Sequence, residues 1–155
     1  MLTIRLADPA DVPTLVAMGA AFHADTAFGD FADYDPDSVR ELLLHLVGAP
    51  DVGVLFVAER GRELVGAIAG HLTPAWFNRK AWVAAELALW VDPAHRGADA
   101  GSALIRAFEA WGAALGADAF SMSDLVVGGE TPAGRLFQAH GYRVVERAHL
   151  KARSA

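Results

Sequence analysis

Residues 87–104 read LALWVDPAHRGADAGSAL. A strand-like apolar run ends at Val91, a proline turn follows, and Arg96-Gly97-Ala98-Asp99-Ala100-Gly101 leads into an amphipathic helix that begins near Ser102. Strand, short polar loop and helix in that order make an anion site. The first N–H groups of a helix have no internal acceptor, and the helix dipole favours negative charge beside them. Glycines let a phosphate approach the backbone closely. The stretch therefore predicts a phosphate-bearing ligand at the start of this helix.

The chain on either side alternates strand and helix signals. Residues 3–6 read as a short strand. Asp8 then caps a helix, with Pro9 in its first turn and Asp11 at the third position. Val12, Leu15, Val16, Gly19 and Phe22 line its inner face. Residues 24–34 are polar and aromatic and read as a loop or broken helix. Asp35-Pro36 repeats the start signal, and Val39, Leu42, Leu43 and Leu46 keep helical spacing to about Val47. Residues 53–59 and 63–72 read as a hairpin around Arg60-Gly61-Arg62. Residues 81–91 form a third long strand. The helix over 101–115 puts Leu104, Ala107, Phe108, Trp111 and Leu115 on one face. Residues 119–127 read as a strand, Thr131-Pro132 caps a short helix ending at Gly141, and residues 142–150 read as a last strand. Hairpins mixed with crossover helices imply an α/β sheet of mixed direction.

Composition narrows the function classes. At 155 residues the chain is expected to be one domain spanning 1–155. It has no cysteine, which excludes disulfides, thiolate zinc sites and an acyl-cysteine route. No apolar run approaches the roughly 18 residues needed to span a bilayer. The opening MLTIRLADPADV lacks the apolar core of a signal peptide, so the expectation is a cytoplasmic protein with no membrane partner. The net charge of −6 sits in residues 1–41, where eight acids face two arginines. No basic stripe exists for a nucleic-acid backbone. The acidic segment suits either steering of a cationic partner or a solvated loop.

The element order and the loop after Val91 resemble the GNAT superfamily of acetyl-CoA-dependent N-acetyltransferases over nearly the whole chain. Leu2-Thr3-Ile4-Arg5 and Asp8-Pro9-Ala10-Asp11 are similar to the opening strand and helix start of that family. Arg96, Gly97, Ala98, Asp99, Ala100 and Gly101 occupy its Arg/Gln-x-x-Gly-x-Gly/Ala motif, with Ser102-Ala103-Leu104 continuing as in many members. Residues 133–142, AGRLFQAHGY, are similar to its A-x-x-L-Y-x-x-x-G-F. The resemblance implies a mixed, mostly antiparallel central sheet flanked by helices on both faces. It also implies acetyl-CoA as co-substrate and a small-molecule or peptide amine as acceptor. A homodimer is the family's habit. Three positions depart from the pattern. Asp99 replaces a usual glycine, Phe137 replaces a frequent tyrosine that protonates the leaving thiolate, and Glu130 replaces a frequent asparagine.

Acetyl transfer to an amine requires loss of the amine proton, stabilisation of an oxyanion and departure of a thiolate. Glu86, a carboxylate inside an apolar strand, is the candidate base; its alternative is a solvent-facing or arginine-paired strand residue. By resemblance, Leu89, Trp90 and Val91 pair with the pantetheine arm like an added strand, and an N–H near Val91 meets the thioester. Trp90 serves equally as a packing residue. Arg96 suits the pyrophosphate or is a surface arginine. Gly97, Ala98, Asp99, Ala100, Gly101 and Ser102 supply phosphate donors, and Phe137 lies in the family's cofactor segment. For the leaving group, water, Ser121, Ser123 and Tyr142 all remain open. His23, Asp25, Asp30, Asp33 and Asp35 lie where the family builds its acceptor rim. Trp76, Phe77 and Trp82 suit an aromatic wall, core or dimer contact. An acyl-CoA-binding or sensing domain without turnover is the alternative, motivated by Asp99 and Phe137.

Competing motifs fail on their chemistry. Residues 129–136 have Walker-loop spacing, but Arg135 and Leu136 replace the lysine and the hydroxyl. No G-x-S-x-G elbow occurs. The six histidines show no close metal-binding pair, so no metal is expected.

Overall fold

The computed structural model describes residues 1–97, 99–125 and 131–153. Five strands lie in chain order across one sheet: β1 (Leu2–Leu6), β2 (Gly53–Arg60), β3 (Glu63–Ala75), β4 (Asn78–Val91) and β5 (Ala119–Ser121). Pairing is antiparallel from β1 to β4, and β5 runs parallel to β4. The helices are α1 (Val12–Ala24), α2 (Pro36–Gly48), α3 (Ala100–Ala114) and α4 (Pro132–Ala139). This is the mixed, mostly antiparallel sheet that the sequence predicts.

Alternation along the strands assigns the helices to opposite faces. Leu55 and Val57 of β2 and Ala69 of β3 pack with Leu15 and Val16 of α1 and Leu43 and Leu46 of α2. Val54 and Ala58, one residue out of phase, join Ile68, Ala84, Leu104 and Phe108 on the α3 face. Both cores consist of side chains almost fully withdrawn from water, which is the main stabilising term.

The structure corrects several boundaries. The first helix begins at Val12, not after Asp8. Asp8 and Asp11 instead organise the turn just before it: Asp8 accepts from the Ala10 N–H at 2.7 Å, and Asp11 accepts from the Asp8 N–H at 2.9 Å. Arg5 holds Asp11 with two nitrogens, at 2.7 and 2.9 Å, and Glu59 with a third at 2.9 Å. That bidentate cation holds the Asp11 carboxyl below its usual range. The strand expected over 119–127 is ordered as β5 only to Ser121; residues 122–125 form no strand, and 126–127 lie outside the described residues. The last strand expected over 142–150 does not form. Those residues have no ladder partner among the described residues, and Val144 and Val145 are exposed, so their apolar pattern finds no core face. In the third strand the chain departs from plain alternation. Ala69 pairs with Ala88 and Gly70 with Glu86, so Leu87 is an extra residue on β4. Ala84 before the bulge and Leu89 and Val91 after it all reach the α3 core. Ala88 and Trp90 turn instead to the α1–α2 face. β5 pairs only with Val83, Ala84 and Ala85. From Glu86 onward, β4 has no neighbour on that edge among the described residues.

Gly70 stands opposite Glu86 at the bulge, where a Cβ would lie 2.4 Å from Phe108 Cε2 and 2.9 Å from the Ala85 carbonyl oxygen. Neither the buried ring nor the backbone can swing away cheaply. Gly70→Ala is therefore expected to destabilise the fold by about 1–3 kcal/mol, the usual cost of overpacking, read as a lower urea midpoint at unchanged slope. An unchanged midpoint would contradict this close packing.

Candidate active site

Glu86 sits where β4 leaves β5. The Ser123 N–H donates to Glu86 Oε2 at 3.0 Å, just beyond the last β4–β5 pairing at Ala85 and Ser121. Burial pushes the Glu86 carboxyl up to about 7, against the opposing pull of N–H bonds from Ser123 and Leu89. Among the described residues no arginine or lysine pairs with it. The result is a carboxyl group that exchanges its proton near neutrality.

The anion loop follows directly. Asp92 accepts from the Ala94 N–H at 2.8 Å and starts a single turn over Pro93–His95. Arg96 folds back, donating from Nε to the Val91 carbonyl at 2.8 Å, and its Nη2 lies 3.6 Å from Asp25 Oδ2. Gly97 takes φ of +79°, a backbone that favours glycine. α3 then starts at Ala100, two residues before the expected start. The N–H groups of Ala100, Gly101 and Ser102 precede the first i to i−4 bond, from Ala103 to Asp99. Asp99 does not cap them. Its carboxylate instead pairs with Arg60 Nη2 from the β2–β3 turn. The free donors at α3 and the positive-φ glycine before it fit the pyrophosphate of a coenzyme A thioester, and the unpaired β4 edge fits the amides of its arm.

The remaining predicted residues divide clearly. Leu89 and Val91 point into the α3 core with only their backbone on the open edge, whereas Trp90 lines a cleft on the opposite face. Ser102 shares a hydrogen bond with His140 Nε2 at 2.6 Å and accepts from Arg106 at 3.0 Å, which ties α3 to the end of α4. Phe137 is buried, with its ring 6.2 Å from that of Tyr142. Burial and the nearby Glu109 raise the Tyr142 hydroxyl well above its ordinary value, which places that hydroxyl beside α3. Ala98 and Glu130 lie outside the described residues.

The cleft has a volume of about 570 Å³ and lies between α1, α2 and the β4 bulge. His23 lines it and bonds the Ala32 carbonyl at 3.1 Å. Asp25 and Asp30 do not line it; Asp25 faces Arg96 instead. Trp76 and Phe77 pack edge to face at the β3–β4 turn, 93% and 74% exposed, away from the cleft. The sequence reading weighed Ser123 only for the leaving group and missed its N–H bond to Glu86, along with the Arg60–Asp99 and His140–Ser102 pairs. The partners lie 37 to 39 residues apart, and no local pattern marks such pairs.

Comparison with known proteins agrees with this fold. No curated protein sequence matches the chain. Among solved structures, a transcriptional regulator from Bacillus halodurans C-125 superposes with a TM-score of 0.77 at 23% identity, over 99% of this chain and 100% of that one. AAC(6')-Iy in complex with the bisubstrate analog CoA-S-monomethyl-acetylneamine gives 0.79 at 16% identity, over 100% and 99%. A predicted acetyltransferase with acetyl-CoA from Clostridium acetobutylicum gives 0.73 at 14% identity, over 97% and 96%. At these identities the likeness establishes the fold. The model of the Acetyltransferase (GNAT) family matches residues 20–142. With that match the chain belongs to the GNAT acetyltransferase family, an acyltransferase with acetyl-CoA as co-substrate.

Proposed function

We propose that this acyltransferase moves the acetyl group to a primary amine by direct attack in a ternary complex, with Glu86 as a water-mediated general base. The observation that carries the reading is the position of Glu86: its carboxylate is held by the Ser123 N–H just past the end of the β4–β5 pairing. When bound, acetyl-CoA supplies an activated thioester. An alkylamine with a pKa of about 10 arrives protonated, so a proton acceptor must work near neutral pH. Glu86 takes that proton through water and returns it to solvent. The free edge of β4 over Leu89, Trp90 and Val91 orients the pantetheine arm, and an N–H beside Val91 meets the thioester oxygen. The donors of Ala100, Gly101 and Ser102 hold the pyrophosphate. Arg96 is turned inward to the Val91 carbonyl and steadies the loop that presents them. Phe137 carries no proton, so the side chain at that position takes no part in protonating the thiolate.

Glu86→Gln keeps an acceptor for the Ser123 N–H and removes the base. A loss of about 100-fold or more in kcat is expected, with acetyl-CoA affinity unchanged. The wild-type kcat should rise through pH about 7 as Glu86 loses its proton, and that limb should vanish in the variant. Equal rates and identical profiles would remove Glu86 from the chemistry. Acetyl-CoA binding without turnover on any amine would favour a sensing domain.

The same carboxyl links stability to pH. Folded Glu86 holds its proton to about 7, whereas the reference carboxyl loses it near 4.5. Between those values the folded state binds more protons, so this group's contribution falls as pH rises. Glu86→Gln should melt with the wild type at pH 4 and above it at pH 8. A gap that does not widen with pH would contradict the burial of this group.

Arg60 screens the Asp99 charge beside the phosphate donors. Arg60→Ala should raise the KM for acetyl-CoA roughly threefold to tenfold at low salt, and adding Asp99→Asn should reverse the loss. No change in either variant would place Asp99 outside the reach of the phosphates.

A further inference from the structure

The cleft beside the β4 bulge points to one class of amine, an inference that rests on the acetyl-transfer reading above. Its walls are apolar on every side: Leu15 and Phe22 from α1, Phe28 and Phe31 from the α1–α2 connection, Leu42 from α2, and Trp90 from β4. Phe28, Phe31 and Leu42 are 40%, 56% and 46% exposed, large side chains gathered around one opening. Water wets these groups at a cost that a fitting apolar ligand would remove. Charge is scarce there. Only His23, Asp33 and Asp35 among the lining residues can carry it. Asp35 is committed to the start of α2, accepting from the Asp37 N–H and the Ser38 hydroxyl. His23 is bonded to the Ala32 carbonyl. Asp33 is left as the one lining carboxylate with no bond or ion pair among the described residues. A polycation would place several ammonium groups against hydrocarbon with Asp33 as the one unengaged lining carboxylate among the described residues, which is costly.

We infer that the acceptor is a monoamine with a bulky apolar body, of the arylalkylamine class, and not a polyamine or an aminosugar. The cleft volume of about 570 Å³ is ample for such a molecule. The wall reaches Leu87 and Ala88 at the bulge, so an amine whose body fills the cleft ends beside the open part of β4.

The test is calorimetry of the full chain with 2-phenylethylamine, 4-phenylbutylamine and spermine at physiological salt, alongside thiol release from acetyl-CoA with the same amines. The phenylalkylamines should bind at least tenfold more tightly than spermine. Each added methylene should lower Kd about threefold to fourfold, the effect of one buried CH₂. Leu42→Asp should weaken their binding tenfold or more and leave acetyl-CoA affinity within twofold. Tighter binding of spermine, or a Kd flat across the phenylalkylamines, would overturn the inference. So would affinity that instead rises with acyl length when hexanoyl-CoA replaces acetyl-CoA, because the cleft would then hold the donor's chain. Tight phenylalkylamine binding with no thiol release from any amine would support the cleft's specificity and sink only the acetyl-transfer reading.

Discussion

One extra residue on β4 governs the rest of this molecule. A strand presents alternate side chains to opposite faces, and an inserted residue reverses that order beyond it. Leu87 is that residue. Without it, Ala88 and Trp90 would enter the α3 core, and Leu89 and Val91 would face the cleft. The bulge also coincides with the last pairing to β5, at Ala85. A single backbone event thus frees an edge, turns Trp90 into the cleft wall and leaves Glu86 at the junction. The close packing at Gly70, opposite Glu86, shows how tightly the other side constrains that event.

Charge follows the same economy. The acidic segment over 1–41 suggested a rim for cationic ligands, yet most of its acids are engaged within the fold. Asp8 and Asp11 organise the turn before α1, Asp11 anchors Arg5, Asp35 starts α2, and Asp37 pairs with Arg40. Asp25 faces Arg96. Exposed pairs such as Asp37–Arg40 contribute little to stability. The Arg5 cluster is different, because a partly buried bidentate pair couples β1, β2 and the entry to α1. Net charge counted from composition therefore says little about ligand charge here.

Local signals made most of the fold legible in the sequence. Cap residues, apolar spacing and turn glycines are short-range physics, and they located α2, α3, α4 and the β2–β3 hairpin closely. Glu86 stood out as a carboxylate in an apolar strand, and its raised proton affinity follows from the burial such a position implies. What stayed hidden depends on register. Alternation alone cannot reveal the extra residue at Leu87, because Ala84, Ala88 and Leu89 are all apolar and fit either face. The Arg60–Asp99 pair was equally hidden, since only the folded sheet brings the β2–β3 turn to the start of α3. The strand expected over 142–150 shows the converse error: an apolar pattern is a capacity to pair, and in the fold residues 142–150 form no strand and leave Val144 and Val145 exposed.

The two halves of the site rest on different supports. The proposed phosphate donors and the open edge belong to α3 and β4, which are held by side chains buried almost completely, such as Leu104, Ile105 and Phe108. The cleft mouth belongs to the connection between α1 and α2, whose fastening is sparser. Tyr34 is its main anchor, donating its hydroxyl to the Val16 carbonyl at 2.7 Å. Its ring lies so close to α1 that a Cβ on Gly19 would come within 2.5 Å of the hydroxyl oxygen. Gly19 therefore leaves the space that Tyr34 occupies against α1. Residue changes in this connection can reshape the cleft without disturbing the bulge, the free edge or Glu86. On the proposed reading, the chemistry then rests on the buried β4–α3 side and selectivity on a connection that buries no residue over 27–30.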